Sequence, residues 1–169
     1  MRTLQQKLEV TANILIIVVA VLLGTVLIQK YLLRKPTESV RVQPVTGSKI
    51  NLSDVNWANQ RKTLILALQT QCHFCNESAP FYKRLVQAIQ GKNVKLLAVF
   101  PTGIEESTAH LKDLGLTGFE VKRSTLESLQ ASGTPTLILT DDKGEVTNFW
   151  VGKLPPEKED EVINKLKGD

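Results

Sequence analysis

Two runs in this 169-residue chain, TLILALQ (Thr63–Gln69) and VKLLAVF (Val94–Phe100), are apolar over strand length with little alternation. A strand with one wet face alternates apolar and polar residues. A continuous run instead demands cover on both faces, as strands inside an α/β layer have. The segment after the first run has helical periodicity, because Tyr82, Leu85, Val86 and Ile89 fall at i, i+3, i+4 and i+7, with Gly91 as a stop. TGIEESTAHLKDLG pairs Thr102 with Glu105 as a capping box and stops at Gly115, and STLESLQASG repeats the box with Ser124 and Glu127. KINL and FEV (Phe119–Val121) read as short strands. PTLILTDDKGEVTNFWVG reads as a hairpin, with a strand from Thr136, a turn at Asp141–Gly144 and a second strand through Val151. PPEKEDEVINKLK closes the chain as a helix, with acids leading and lysines trailing as the helix dipole favours. The order β, β, α, β, α, β, α, β, β, α predicts a central mixed sheet with helices on both faces.

The N-terminal part is of another kind. No residue from Val10 to Gln29 is charged, and the run has no polar face that would suit a buried core helix. About 20 such residues span the hydrocarbon of a bilayer. A signal peptide would have a shorter apolar region and a small-x-small cleavage site, which is not seen here. No cysteine follows the run to take a lipid. The expected organisation is a short tail over 1–11, a transmembrane anchor and flank over 12–33, a linker over 34–48 and one domain over 49–169. Arg2 and Lys7 precede the run; Lys30, Arg34 and Lys35 follow it, with Arg41 further on. These flanks are too evenly charged for the positive-inside rule to fix an orientation, and they lean slightly towards a cytosolic domain. The net charge of +4 is scattered, and several basic residues flank the apolar run. This reads as a solvated surface plus membrane flanks, with no nucleic-acid partner.

Cys72 and Cys75, the only cysteines, follow directly on the first apolar run. Two cysteines cannot build a multi-bridge framework, and a bridge across so small a loop constrains the unfolded chain little. Stability is therefore not their purpose. At a junction from strand to helix, unpaired N–H groups and the helix dipole favour an anion, and a thiolate is one. Cys72, at the very end, is the expected exposed nucleophile. Cys75, one turn further in, can attack a mixed disulfide formed on Cys72. His73 and Phe74 are the expected tuning residues. Neither is proline, so each keeps an N–H that can point towards the Cys72 sulfur. A protonated His73 would stabilise the thiolate; the plainer alternative is an exposed polar residue with little effect. A metal (copper or zinc) held by Cys72, His73 and Cys75 with His110 is a rival, weakened because zinc needs four ligands and His110 falls in an amphipathic helix. A redox-inactive binding module is the other alternative. Peroxiredoxin chemistry lacks its upstream threonine or serine and its proline, and there is no phosphate loop, dinucleotide fingerprint or zinc-protease helix. Trp57, Trp150, Phe149, Phe119 and Phe81 read as core or rim packing.

Several features recur in one order: GSKINLSDVNW, a buried strand directly before Cys-x-x-Cys, Pro80 five residues after Cys75, GTPTLIL with Pro135, and then DDKGEV. From about Gly47 to Lys167 the chain thereby resembles the thioredoxin-like superfamily, and more closely its membrane-anchored thiol-disulfide oxidoreductases (TlpA/ResA-like, redoxin-type). The resemblance implies a thioredoxin-like α/β fold, a central mixed β-sheet flanked by helices, and disulfide exchange through Cys72 and Cys75. It implies that Pro80 kinks a helix, that Pro135 is a cis-proline, and that Thr134 and Pro135 shape a substrate groove. No cofactor beyond the redox-active Cys72–Cys75 disulfide, and no metal, is expected. The implied partners are protein thiols or disulfides of exported proteins, apocytochromes among them, and a membrane thiol-electron carrier. The implied place is a bacterial cytoplasmic membrane, with the domain on the periplasmic or exterior side. A cis X–Pro bond costs only about 0.5–1 kcal/mol over trans. It would turn the Thr134 backbone towards the cysteines, where an extended substrate segment could pair with it.

The chain departs from the family at three places. Gln71 stands where tryptophan is common. Leu66 stands where thioredoxins carry a buried acid, so proton transfer with Cys75 must use another group or water. Ser78 stands where these enzymes often have a glutamate. Glu77 comes one residue early, a rotation of about 100° on a helix, and is retained as a tuning candidate. These departures bear on rate and redox poise rather than on the class of reaction.

Overall fold

The computed structural model describes residues 4–31 and 43–168, in two compact units. In the first, helix α1 (Leu4–Tyr31) carries the uncharged run. Its described side chains from Ile14 to Val26 include ten large apolar residues that are all exposed. Among the described residues no helix is long and apolar enough to cross a membrane. The continuous stretch of described side chains in α1, Thr11–Val26, is shorter than the roughly 20 residues a span requires. Residues 1–3 of the expected tail, and residues 32–42, which hold the end of the expected anchor and most of the expected linker, lie outside the described residues.

The second unit holds a five-stranded sheet in the order β3-β2-β1-β4-β5. Its strands are β1 (Lys62–Ala67), β2 (Val94–Phe100), β3 (Glu120–Arg123), β4 (Thr136–Thr140) and β5 (Val146–Val151). The first three are parallel; β4 lies antiparallel to β1, and β5 antiparallel to β4. The helices are α2 (His73–Glu77), α3 (Ala79–Ala88), α4 (Ile104–Asp113) and α5 (Pro156–Lys167). The two apolar runs are the neighbouring strands β1 and β2, paired from Lys62↔Val94 to Ala67↔Val99, and they are covered on both faces.

The faces are filled differently. Leu64 and Leu66 of β1 join Leu96, Ala98 and Phe100 of β2 under the buried residues of α3, α4 and α5. Ile65 and Ala67 face the other way, with Leu97, Val99 and Ile138, and are covered by Ile50, Leu52, Leu129 and Ala131. The α-helices thus gather on one face, where the element order predicts them on both. The covering segments of the second face coil only into 3₁₀ turns, at Trp57–Asn59 and Glu127–Leu129. The box predicted at Ser124 does not form: its hydroxyl pairs with that of Ser128 at 2.6 Å, and the Ser128 N–H donates to Thr125 Oγ1. Gln130 then turns left-handed at φ 55°, which ends the turn. The Thr102 box fails too. Gly103 is the N-cap of α4, and the Thr102 hydroxyl pairs with that of Ser107 at 3.0 Å. The predicted stop at Gly115 is present, with φ +67°, a Gly115 N–H to Lys112 C=O bond of 2.8 Å and a Leu116 N–H to Leu111 C=O bond of 2.8 Å. This is the closure that leaves glycine at C′. KINL makes only an isolated bridge, Lys49↔Glu145, with backbone bonds on either side from the Ile50 N–H to Gly144 O at 3.0 Å and from the Val146 N–H to Ser48 O at 2.8 Å.

Both core clusters draw only on residues from Ile50 onward, so the second unit has its own core. Its parallel strands end together. The chain leaves β1 there into the cysteine motif, and it enters β4 there after Pro135.

Candidate active site

Beyond β1, the Leu68 N–H still bonds to the Val99 carbonyl at 2.9 Å, and the Cys72 N–H closes a turn on Gln69 O at 3.2 Å. Cys72 is extended (φ −87°, ψ 108°) and is the N-cap of α2. Its Sγ accepts the Cys75 N–H at 3.1 Å, which is the bond from N3 that a capping oxygen ordinarily accepts. From the sequence, the His73 and Phe74 amides are the expected donors for this contact; the donor is Cys75. The two cysteines are joined in a disulfide with their Cα atoms 5.2 Å apart. Cys75 is buried at 2% exposure within the helix-side core, whereas Cys72 is half-buried at its margin. The sulfur a partner can reach is therefore that of Cys72.

The helix carrying the motif is short. Ser78 separates α2 from α3, and its hydroxyl donates to Phe74 O at 2.8 Å. Pro80, in the first turn of α3, has no N–H to continue the ladder, which is why the helix breaks here.

Of the tuning candidates, His73 and Phe74 are both exposed, their rings 5.6 Å apart. Glu77 is exposed and bonds two neighbours: Oε1 lies 3.1 Å from His73 Nε2, and Oε2 accepts from Lys153 Nζ at 2.9 Å. The hydrogen bond from Lys153 holds the Glu77 carboxyl below the usual carboxylate range, and His73 adds to the effect. The one-residue offset thus places Glu77 one helical turn from His73, a spacing that favours contact.

On the other side of the motif, the Thr134–Pro135 bond is cis. The Pro135 carbonyl accepts the Gly152 N–H at 2.7 Å, and Thr136 Oγ1 donates to Gly133 O at 2.8 Å. Thr134 Oγ1 reaches Gln69 Oε1 at 3.4 Å, which ties this loop to the turn that leads into Cys72. Among the described residues the Thr134 backbone has no backbone partner. The first turn of α4 approaches the same turn, with Thr70 Oγ1 3.4 Å from Glu106 Oε1.

Leu66 is fully buried in the cluster that contains Cys75, so that cluster holds no acid at this point. Tyr82 lies in it too, its hydroxyl without a hydrogen-bond partner among the described residues, and burial pushes its pKa well above the ordinary phenol value. Such a phenol cannot accept a proton from Cys75 near neutral pH. Among the described residues no group of three or more His, Cys, Asp or Glu side chains is placed to hold a metal. His110 stands edge-on to Phe100 at 6.2 Å between ring centroids.

Lys153 and Glu106 carry no signal in the sequence. Each meets its partner across a large separation (76 residues for Lys153 and Glu77, 36 for Glu106 and Thr70), and neither belongs to a motif. Only the folded chain brings them to the site.

No family model and no curated protein matches this chain. Solved structures do. The thioredoxin domain of a thiol-disulfide oxidoreductase from Bacteroides vulgatus matches at 17% identity with TM-score 0.60, over 75% of this chain and 100% of that one. A thiol-disulfide isomerase from Corynebacterium glutamicum matches at 16% identity with TM-score 0.56, over 75% and 95%. A thiol:disulfide interchange protein from a Bacteroides species matches at 19% identity with TM-score 0.56, over 75% and 89%. Likeness at these identities establishes the architecture: this chain has a thioredoxin-like α/β fold, with a Cys-x-x-Cys disulfide at the end of its first strand.

Proposed function

We propose that this protein is a membrane-tethered thiol-disulfide oxidoreductase that exchanges disulfides with the thiols of exported proteins, apocytochromes among them. The observation that carries the reading is the asymmetry of the pair: a reachable Cys72 sulfur at a helix N-cap, bonded to a buried Cys75. In the reducing direction, the Cys72 thiolate attacks one sulfur of a substrate disulfide. A Cys72–substrate disulfide forms, and the other substrate sulfur leaves as a thiolate that takes a proton from water. Cys75 then gives its proton to water and attacks Cys72 Sγ. The internal disulfide closes and the second substrate thiol leaves, so two electrons have passed from the dithiol to the substrate. In the oxidising direction the same steps run backwards. Thr134 and Pro135 form the groove, where the free Thr134 backbone can pair with an extended substrate segment. The reducing direction also needs a donor, for which the chemical class is a membrane thiol carrier.

The first test is the reduction potential of the full chain in detergent, equilibrated against glutathione or dithiothreitol. A potential near about −270 mV makes it a reductant, and one near about −120 mV makes it an installer of disulfides. The absence of any reversible dithiol–disulfide transition would sink the reading.

The tether rests on the uncharged run from Val10 to Gln29, carried on α1 with its apolar side chains exposed. The outward placement of the domain rests on the resemblance to anchored oxidoreductases, against a slight lean of the flanking charges. The full chain is expected to stay in the membrane pellet through a carbonate wash. Its reduced cysteines are expected to react with an impermeant thiol reagent on intact cells. Release by carbonate removes the tether, and labelling only after lysis reverses the orientation.

A further inference from the structure

Glu77 carries partners from two distant parts of the chain. One oxygen meets His73 from its own helical turn at 3.1 Å, and the other meets Lys153, just beyond β5, at 2.9 Å. The position of Lys153 is itself constrained. It follows Gly152, whose N–H bonds to the carbonyl of Pro135 at 2.7 Å. The residue that balances the charge beside the cysteine motif is therefore anchored to the proline loop.

Several charged groups of the neighbouring helices are engaged elsewhere. Glu106 of α4 lies against Thr70, Arg84 of α3 pairs with Glu159 of α5, and Lys158 pairs with Glu161 within α5. Among the described residues, Lys153 is the ammonium group bonded to Glu77. A carboxylate on the short helix that Cys72 caps, five residues from it and one turn from His73, opposes a thiolate there unless its charge is neutralised. It also holds His73, the residue next to the nucleophile.

We propose that Lys153 is a positioning residue for the dithiol reaction, acting on Cys72 through Glu77 and His73. The inference rests on the oxidoreductase reading above and adds a residue to it. With Lys153 in place, Glu77 orients His73 while contributing little net negative charge. Without it, the full carboxylate charge bears on the motif and the Cys72 thiolate of the reduced form is less stable.

The test is a double-mutant cycle on the reduction potential of the full chain in detergent. Lys153→Met is expected to favour the disulfide form by about threefold to fivefold against glutathione, the scale of an exposed ion pair, or about 14–21 mV in a two-electron couple. Lys153→Arg is expected to restore the wild-type value. In a Glu77→Gln background, Lys153→Met is expected to shift the equilibrium by less than about 1.5-fold, because the carboxylate through which it acts is gone. Unchanged unfolding midpoints of the oxidised variants guard against a merely structural effect. A silent Lys153→Met in a chain that cycles normally overturns this proposal alone, as does an equal shift with and without Glu77. A wild-type chain that does not cycle overturns the oxidoreductase reading itself.

Discussion

Replacing Cys75 with serine is expected to leave Cys72 trapped in mixed disulfides with protein partners, whereas replacing Cys72 with serine should trap none. The expectation follows from the unequal exposure of the two sulfurs. Cys72 lies at the core margin as an N-cap, while Cys75 is 2% exposed beneath it. A partner disulfide can approach Cys72 along the surface. To reach Cys75 first it would have to displace packed core, at a cost on the scale of local unfolding. Turnover of a disulfide substrate should fall by roughly a thousandfold or more in either variant, since the first step needs Cys72 and the second needs Cys75. Only Cys75→Ser should add high-mass, reductant-sensitive bands on non-reducing gels. Trapping by Cys72→Ser instead would reverse the roles of the two cysteines.

The cysteine geometry is legible in the sequence because it follows from local rules. A strand buried on both faces ends, a helix begins, and the residue at the join caps it. The parallel pairing of β1 with β2 and the closing hairpin are legible in the same way, from continuous apolar runs and the Asp141–Gly144 turn. Capping boxes are weaker guides. At Thr102 and Ser124 the hydroxyls find other hydroxyls, Ser107 and Ser128, within reach. A serine or threonine in a polar stretch has several short-range bonds open to it, and the backbone chooses among them. The second face of the sheet departs from expectation for a related reason. Leu126 and Leu129 carry helical spacing, but Gln130 takes a left-handed conformation immediately afterwards, so only one turn forms. The Glu77–Lys153 contact lies beyond any local rule, because its partners are 76 residues apart and meet only through the sheet.

The apolar character of position 66 can be tested by placing an acid there. Leu66 is fully buried among the apolar residues that enclose Cys75, and Leu66→Asp would place a carboxyl there with no cation in the cluster. At pH 7 the expected loss is about 3–5 kcal/mol, a large part of the ordinary 5–15 kcal/mol stability of a domain. Burial penalises the ionised form, so the folded-state pKa of the new acid lies above its unfolded value of about 3.9. Well below about pH 4 the carboxyl is neutral in both states, and only the packing and hydrogen-bond losses remain. As pH rises the unfolded state ionises first, and the penalty grows by about 1.4 kcal/mol per unit until the folded-state pKa is reached. The gap in urea midpoint between the oxidised wild type and Leu66→Asp should therefore widen from pH 4 to pH 7, while Leu66→Asn should show a gap that does not change with pH. A constant gap for Leu66→Asp would mean that water reaches this end of β1 in the folded state. If the gap widens as expected, Leu66 is a choice of stability over an internal base. In the proposed exchange the proton of Cys75 then leaves to water, which ties the rate of the resolving step to solvent access.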